Sequence, residues 1–506
     1  MRRLLLIAFA LGCAPAIPPG SIELRVATTA PIATVDPRFL SVAIDTSQFL
    51  GGTWWSSDSQ AATGTAENAV APFDFTRPAL VPLARALAPA YLRIGGTQAD
   101  DAWYDLSDTP AATAPAPFTL VLNHREWDAM QAFSTAAGFD VFFTLNAGPG
   151  PRNAQGAWTP DNARSLLDYA TTHHQPVAAW ELGNEVNAYL VTFGSAGTVS
   201  ATQYADDLGA ARSLIAEASP GARLAGPASA FWPMVGELPP FLPKLLPLGG
   251  SLLDIVTWHY YPQQSTRCPI ALTPATQYLL LQSDALAEID TWATGVEQLA
   301  SAYAPSAQVW LGETGNAQCG GAPGISNRFV ATLWWLDELG RMSSHGEQVA
   351  VRQTLSGSDY GLLDDATLTP NPDYWTSVLF KRLVGTRVLA VDMAPDTLPS
   401  YAWCARSGPP GAITLATVNL SQSQAVTVAV TGVPASGALG YALTADDPLG
   451  TAVKLNGKTL EAGTDGTLPP LNGSAMTENG DAAWLRMPPI SAAFVVLPNA
   501  RAKACE

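Results

Sequence analysis

Two glutamates stand where the cleavage of a sugar linkage would need them. Glu185 closes the run Trp180-Glu181-Leu182-Gly183-Asn184-Glu185, and Glu313 lies in Trp310-Leu311-Gly312-Glu313-Thr314. Glycoside hydrolysis takes one carboxyl group that is protonated, to assist the leaving group, and a second that attacks the anomeric carbon or activates water. Asn184, immediately before the first acid, is placed to hold a sugar 2-hydroxyl, whose hydrogen bond strengthens in the transition state. His259 and Tyr261 end a third apolar run and add polar groups for the same place. Either glutamate alone reads equally well as a solvated or salt-bridged strand end. The conjunction of five such residues at three strand ends is what points to chemistry.

Groups this far apart in sequence need a scaffold that gathers strand ends. Eight short apolar runs supply the strands: Phe39–Asp45, Tyr91–Gly96, Asp140–Asn146, Ala178–Asn184, Arg223–Ala228, Asp254–Tyr260, Val309–Glu313 and Val349–Leu355. They lack strict alternation, as expected of parallel strands covered on both faces. Helical spacing fills the intervals at Pro78–Ala88, Arg125–Ala137, Asp161–His173, Ala201–Ser219, Asp284–Tyr303, Asn327–Leu339 and Pro372–Leu383. Strands alternating with helices over this length predict a (β/α)8 TIM barrel spanning 36–387, with catalytic groups at the C-terminal strand ends. Strands four and seven then face each other across the barrel mouth. A doubly wound open sheet is the competing architecture, but no G-x-G-x-x-G follows an early strand.

From 388 to 506 the pattern changes to short strands without helices, at Ile413–Leu420, Ala425–Val430, Leu439–Thr444, Ala452–Leu455 and Ala492–Leu497, which predicts a smaller C-terminal β-sandwich domain. The alternating IELRV within 17–35 is expected to add an edge strand to that domain. The first sixteen residues read as a secretory signal, with Arg2 and Arg3 before an apolar stretch and Ala14-Pro15-Ala16 as the cleavage pattern. A secreted or periplasmic location follows, with a lipid anchor at Cys13 as the alternative. No later run is long and apolar enough to predict a transmembrane segment.

Lys plus Arg is 26 against 43 for Asp plus Glu, a formal net charge of -17, which argues against a nucleic-acid or anionic-membrane surface as partner. Beyond the signal there are four cysteines, Cys268, Cys319, Cys404 and Cys505, with no close pair for zinc. Of three formal pairings, Cys268 with Cys319 and Cys404 with Cys505 is preferred. The first two fall in loops at one barrel face and the last two in the C-terminal segment. G-x-S-x-G and H-E-x-x-H are absent, and Lys458-Thr459 lacks the first glycine of a phosphate loop. No metal and no cofactor are expected.

The strings FLSVAID, AYLRIGGT (Ala90–Thr97), LGNE (Leu182–Glu185), VTWHYY (Val256–Tyr261), LGET (Leu311–Thr314), GGAP (Gly320–Pro323) and PDYWTSVLFKRLVGTRVL (Pro372–Leu389) resemble glycoside hydrolase family 79, the heparanase family. The resemblance covers nearly all of the chain beyond the signal. It implies a retaining mechanism with Glu185 as acid/base and Glu313 as nucleophile, Tyr261 orienting Glu313, and His259 as a nearby hydrogen-bond partner. It further implies that the backbone N–H groups of Cys319 and Gly320 and the hydroxyl of Tyr360 receive a sugar carboxylate. Asp45, Thr97, Asn184 and Gln353 match other positions near the terminal sugar.

Three features depart from the family pattern. Cys319 stands where the family often has glycine. Only DTPAATAPAPF (Asp108–Phe118) occupies the interval in which the animal enzyme carries an excised linker, so no excision is expected. The strong acidity contrasts with the basic cleft of animal heparanases, although Arg93, Arg125, Arg152, Arg267 and Lys244 are available. Trp54, Trp55, Trp103 and Trp232 are candidate sugar-stacking residues. The resulting expectation is a monomeric, retaining endo-β-D-glucuronidase acting on heparan sulfate or a related glycosaminoglycan polysaccharide. An exo-acting β-glucuronidase and a non-catalytic carbohydrate-binding barrel are the alternatives.

Overall fold

The computed structural model describes residues 15–55 and 67–506. The expected signal segment, 1–16, and the Cys13 alternative therefore fall almost wholly outside the described residues. Eight parallel strands close a barrel: β1 (Leu40–Asp45), β2 (Ala90–Gly95), β3 (Phe139–Leu145), β4 (Ala179–Leu182), β5 (Arg223–Trp232), β6 (Ile255–Tyr260), β7 (Gln308–Thr314) and β8 (Val349–Arg352). Each pairs with its sequence neighbours, β8 pairs with β1, and the β4–β5 pairing completes the ring. The runs read from sequence are these strands, displaced by a few residues at their ends.

Alternate residues on each strand point inward and stack in layers. The lower layer is apolar: Tyr91, Phe142, Ala179, Ala225, Ile255, Trp310 and Val349 form one cluster. Two residues further along β2, β3 and β4 the inward positions are Arg93, Thr144 and Glu181, all buried. The barrel is thus hydrophobic at its base and charged below its mouth.

Six of the seven helices expected from sequence lie close to their expected bounds; the one ending at His345 is longer than expected, running Phe329–His345. A helix after β5, Leu242–Gly249, was not legible. It carries a proline in its first turn and Pro247 inside, so its sequence reads as a loop. The Phe329–His345 helix is buried along most of its length, because the second domain covers its outer face. Tyr401 donates to Asp337 at 2.6 Å, Trp403 Nε1 donates to Ser343 at 3.1 Å, and Gly340 leaves room for the Tyr401 ring.

That second domain is a β-sandwich. One sheet runs Val391–Asp392, Ile22–Val26, Val426–Thr431, Ala482–Met487, Thr477–Glu478. The other is built around Val384–Leu389, Ser400–Ala405, Ile413–Asn419, Ser491–Leu497 and Leu439–Thr444. The N-terminal strand lies parallel to Val426–Thr431, so both chain ends contribute to it. Helix Pro372–Leu383 continues without a loop into Val384–Leu389, which joins the two domains. Disulfides link Cys404 to Cys505 in this domain and Cys268 to Cys319 at the barrel mouth, the pairing expected from sequence. Among the described residues no helix is long and apolar enough to cross a membrane.

Beneath the barrel, burial pushes Glu347 up to about 8, opposed by the Trp258 N–H that it accepts at 2.9 Å. Burial raises Glu338 to about 8 as well. A carboxyl group whose folded pKa lies above its unfolded value favours folding fully below about 4.5, and that contribution disappears as pH rises toward 8. His345, raised to about 10 by Asp290 and Glu297, acts in the same direction above its ordinary value. The protein should therefore melt at a lower temperature at pH 8 than at pH 5.5. Glu347→Gln, which keeps the acceptor but cannot ionise, should reduce that difference by about 2 °C or more in calorimetric scans.

Candidate active site

At the top of the barrel the interior charges form one connected network. Arg93 donates through Nε and Nη2 to Glu181 at 3.0 and 2.9 Å, through Nη2 to Asn184 Oδ1 at 2.8 Å, and through Nη1 to Glu313 Oε2 at 2.7 Å. Thr144 donates to the same Glu181 oxygen at 2.7 Å. Gly95 permits this, since a Cβ there would lie 2.6 Å from the Arg93 guanidinium carbon. Burial works against the Arg93 charge, yet the two carboxylates hold its pKa above the usual arginine value. It is a fixed cation. Arg93 was available in sequence only as a generic basic residue for sulfate groups, and its complete burial overturns that use.

Backbone irregularities aim the two glutamates. Between β6 and β7 the register shifts at Gly312, so that Trp258 faces Leu311 but His259 faces Glu313. Such a bulge re-aims the strand end. Glu185 follows β4 with φ +51°, a conformation that a residue with a Cβ adopts only when its surroundings impose it. Its N–H donates to Ala228 O at 3.0 Å, and its own carbonyl accepts from Ala188 at 2.7 Å. Asp100, in the turn Thr97–Asp101, accepts the N–H groups of Asn184 and Ala147 at 2.9 and 2.8 Å. The loop carrying both Asn184 and Glu185 is thereby pinned.

The result is convergence. A carboxylate oxygen of Glu185, one of Glu313 and a ring nitrogen of His259 all lie within 4.8 Å of one another. Tyr261 donates to Glu313 Oε1 at 2.7 Å, so both oxygens of Glu313 are engaged, one by the phenol and one by Arg93. His259 Nδ1 sits 3.2 Å from Glu185 Oε1. Burial pushes Glu185 up to about 7, with Arg93 opposing, and burial lowers His259 to about 4, with Glu313 opposing. Between those values an uncharged imidazole faces a protonated carboxyl group. Glu185, His259 and Glu313 are also a donor set of metal-binding type, but the Arg93 cation and the Tyr261 hydroxyl already occupy both oxygens of Glu313.

The remaining residues expected from sequence are distributed around this centre. Asp45 accepts from Ser47 N and Oγ, both at 3.0 Å, and from Gln353 Nε2 at 3.2 Å; burial and the Glu313 charge raise it to about 7. Tyr360 and Tyr261 share a buried cluster with Trp54. Gly320 lies against Ser358 and Trp55, on the side of Tyr360. Thr97 is the outlier, exposed at the start of its turn and outside the network. Trp54 is buried edge-on against Tyr360, with ring centroids 6.2 Å apart, and packs the site wall. Trp103 and Trp232 are partly exposed.

Arg93, Glu181, Thr144 and Asp100 are the site residues that sequence reasoning missed. The signal was present: Arg93 and Glu181 occupy inward positions of their strands, two residues above apolar inward partners. Breaking a buried ion pair by removing one partner typically costs about 3–5 kcal/mol, because the other charge stays buried and unpaired. Arg93→Met should lower unfolding free energy by about that amount in denaturant titrations, and Arg93→Met with Glu181→Gln should recover part of it.

Comparison with known proteins fits this geometry. Residues 21–340 match the model of the glycosyl hydrolase family 79 N-terminal domain. Heparanase-like protein 1 of Arabidopsis thaliana is 30% identical, aligned over 94% of this chain and 93% of its own. Heparanase of Gallus gallus is also 30% identical, over 97% of this chain and 98% of its own. Among solved structures, a 4-O-α-L-rhamnosyl-β-D-glucuronidase from Fusarium oxysporum 12S superposes with a TM-score of 0.68 at 18% identity, covering 94% of this chain and all of that one, and so shares the fold. With a family model spanning most of the barrel and relatives aligned end to end, the chain belongs to glycoside hydrolase family 79.

Proposed function

We propose that the protein is a retaining β-D-glucuronidase of the heparanase type, cutting internal glucuronide linkages of heparan sulfate or a related glycosaminoglycan, with Glu185 as acid/base and Glu313 as nucleophile. The observation that carries this reading is that one oxygen of each carboxyl group lies within 4.8 Å of the other, in unlike surroundings. Retaining enzymes hold their carboxyl groups about 5–5.5 Å apart, whereas inverting ones leave about 6.5–9.5 Å for an intervening water.

In the first step Glu185 gives its proton to the glycosidic oxygen while a Glu313 oxygen attacks the anomeric carbon, forming a glycosyl ester and releasing the leaving alcohol. Glu185, now a carboxylate, takes a proton from water, which attacks the same carbon and frees Glu313. Tyr261 and Arg93 fix the attacking carboxylate in orientation. Asn184, held by Arg93 and Gly96 N–H through its Oδ1, presents its amide N–H₂ toward the sugar 2-hydroxyl. Glu185→Gln should lower kcat by about 10²–10⁴-fold, and Glu313→Gln should abolish turnover of a 4-nitrophenyl glucuronide. Azide added to Glu185→Ala should restore turnover and yield the β-glucuronyl azide; an α-azide would refute the retaining assignment.

The charge distribution supports a lightly sulfated polymer. Arg93, Arg152 and Arg267 are each paired with a buried aspartate or glutamate, and Arg125 and Lys244 are exposed on helices. The loops after β4, β5 and β6 instead expose Leu190, Val191, Met234, Leu238, Ile270 and Tyr278. Against the net charge of -17, a polyanion approaches a like-charged protein, and salt relieves that repulsion. Cleavage rates on heparan sulfate, measured as kcat/KM, should therefore rise between about 10 and 150 mM salt, where the Debye length falls from about 30 to about 8 Å. Digestion of heparan sulfate, hyaluronan and chondroitin side by side should give oligosaccharides from the preferred polymer. Release of monosaccharide alone would identify an exo-acting enzyme.

A further inference from the structure

The loop after β7 contains three consecutive residues with positive φ: Cys319 at +62°, Gly320 at +80° and Gly321 at +82°. Glycine enters this region freely, but a residue with a Cβ does not. The two glycines are required by contact as well. A Cβ on Gly320 would fall 2.3 Å from Trp55 Cβ and 2.6 Å from Ser358 Oγ, and one on Gly321 would fall 2.8 Å from the backbone nitrogen of Tyr360. The loop therefore lies against the 358–360 segment, and the Gly320 carbonyl accepts from Asp359 N at 2.9 Å and Ser358 Oγ at 2.8 Å. Among the described residues no acceptor takes the N–H of Cys319 or of Gly320.

Cys319 is the residue without a steric reason to be there, and it is the one that is tied down. Its sulfur is bonded to Cys268 in the loop after β6. The two loops also exchange backbone hydrogen bonds, Ser265 N to Gln318 O at 3.1 Å and Gln318 N to Gln263 O at 2.9 Å. Arg267, beside Cys268, reaches Gly321 O at 3.2 Å and pairs with the buried Asp359. Three segments, 263–268, 318–321 and 358–360, are thus stapled into one body beside Tyr360.

We infer that the Cys268–Cys319 disulfide is a positioning device for the substrate's carboxylate. It holds a Cβ-bearing residue in the left-handed conformation, so that the N–H groups of Cys319 and Gly320, with the Tyr360 hydroxyl, converge on a uronate sugar. This rests on the glucuronidase reading above.

The test separates conformation from cross-linking. Cys268→Ser with Cys319→Ala loses the staple but keeps the Cβ; Cys268→Ser with Cys319→Gly loses the staple but removes the need for it. The alanine pair should raise KM for 4-nitrophenyl β-glucuronide about tenfold, equivalent to about 1.4 kcal/mol, with kcat changed far less. The glycine pair should return KM close to the wild-type value, and Cys404→Ser with Cys505→Ser should leave KM unmoved. If the alanine pair does not fold, Cys268→Ser alone carries the same comparison. Calorimetric binding of free glucuronate against glucose supplies a readout without turnover. A wild type that does not discriminate would sink the glucuronate reading and this inference together; unchanged discrimination and KM in the alanine pair would sink the inference alone.

Discussion

One guanidinium group organises the mouth of the barrel. Arg93 sits in the interior of a closed barrel, where an unpaired charge is very unfavourable, and it is shared between Glu181 below and Glu313 above. Glu181 lies deep on β4 and takes two of the hydrogen bonds of Arg93, so the cation is held from beneath, and with it the carboxylate of Glu313 and the amide of Asn184. A chain of charge-assisted hydrogen bonds inside a low-dielectric cylinder has little freedom to rearrange. The precision required of the reacting groups is thus inherited from the requirement that buried charges be neutralised.

The same environment gives the two glutamates different surroundings, as the roles proposed for them require. Both lie near Arg93, yet only Glu313 receives its hydrogen bond; Glu185 faces the uncharged His259 and is raised to about 7 by burial. Two identical side chains within 4.8 Å of each other thereby meet different electrostatics, which is what acid and nucleophile need.

How legible this was from sequence depended on whether a residue's position or its partner defined it. The barrel could be read because each strand is a short apolar run bounded by turn residues, and Glu185, Glu313 and Tyr261 could be read because they fall at strand ends. The Leu242–Gly249 helix was hidden by its prolines, whose missing N–H is tolerated near a helix start but whose ring normally ends a helix further in. Several sandwich strands, among them Val384–Leu389 and Ala482–Met487, were missed because the first continues directly from a helix and the second carries a charge within a short run. Arg93 and Glu181 were missed for a deeper reason. A charged residue in an apolar strand has no meaning until its counter-charge is known, and their counterparts lie on other strands, 88 residues apart in one case and 220 in the other.

Left-handed backbone outside glycine is spread over both domains, and three instances stand beside the proposed chemistry. Glu185, Ala228 and Cys319 all have positive φ without being glycine, and each borders the mouth of the barrel rather than its base. Each is restrained from outside: Glu185 and Ala228 by the hydrogen bond between them, Cys319 by its disulfide. Backbone conformations of this kind persist only when their surroundings over-determine them. The apolar lower layer and the sandwich packed against the Phe329–His345 helix provide the rigid remainder against which such strain can be held. The second domain touches none of these residues; what it covers is the Phe329–His345 helix, which follows the β7 loop that carries Cys319.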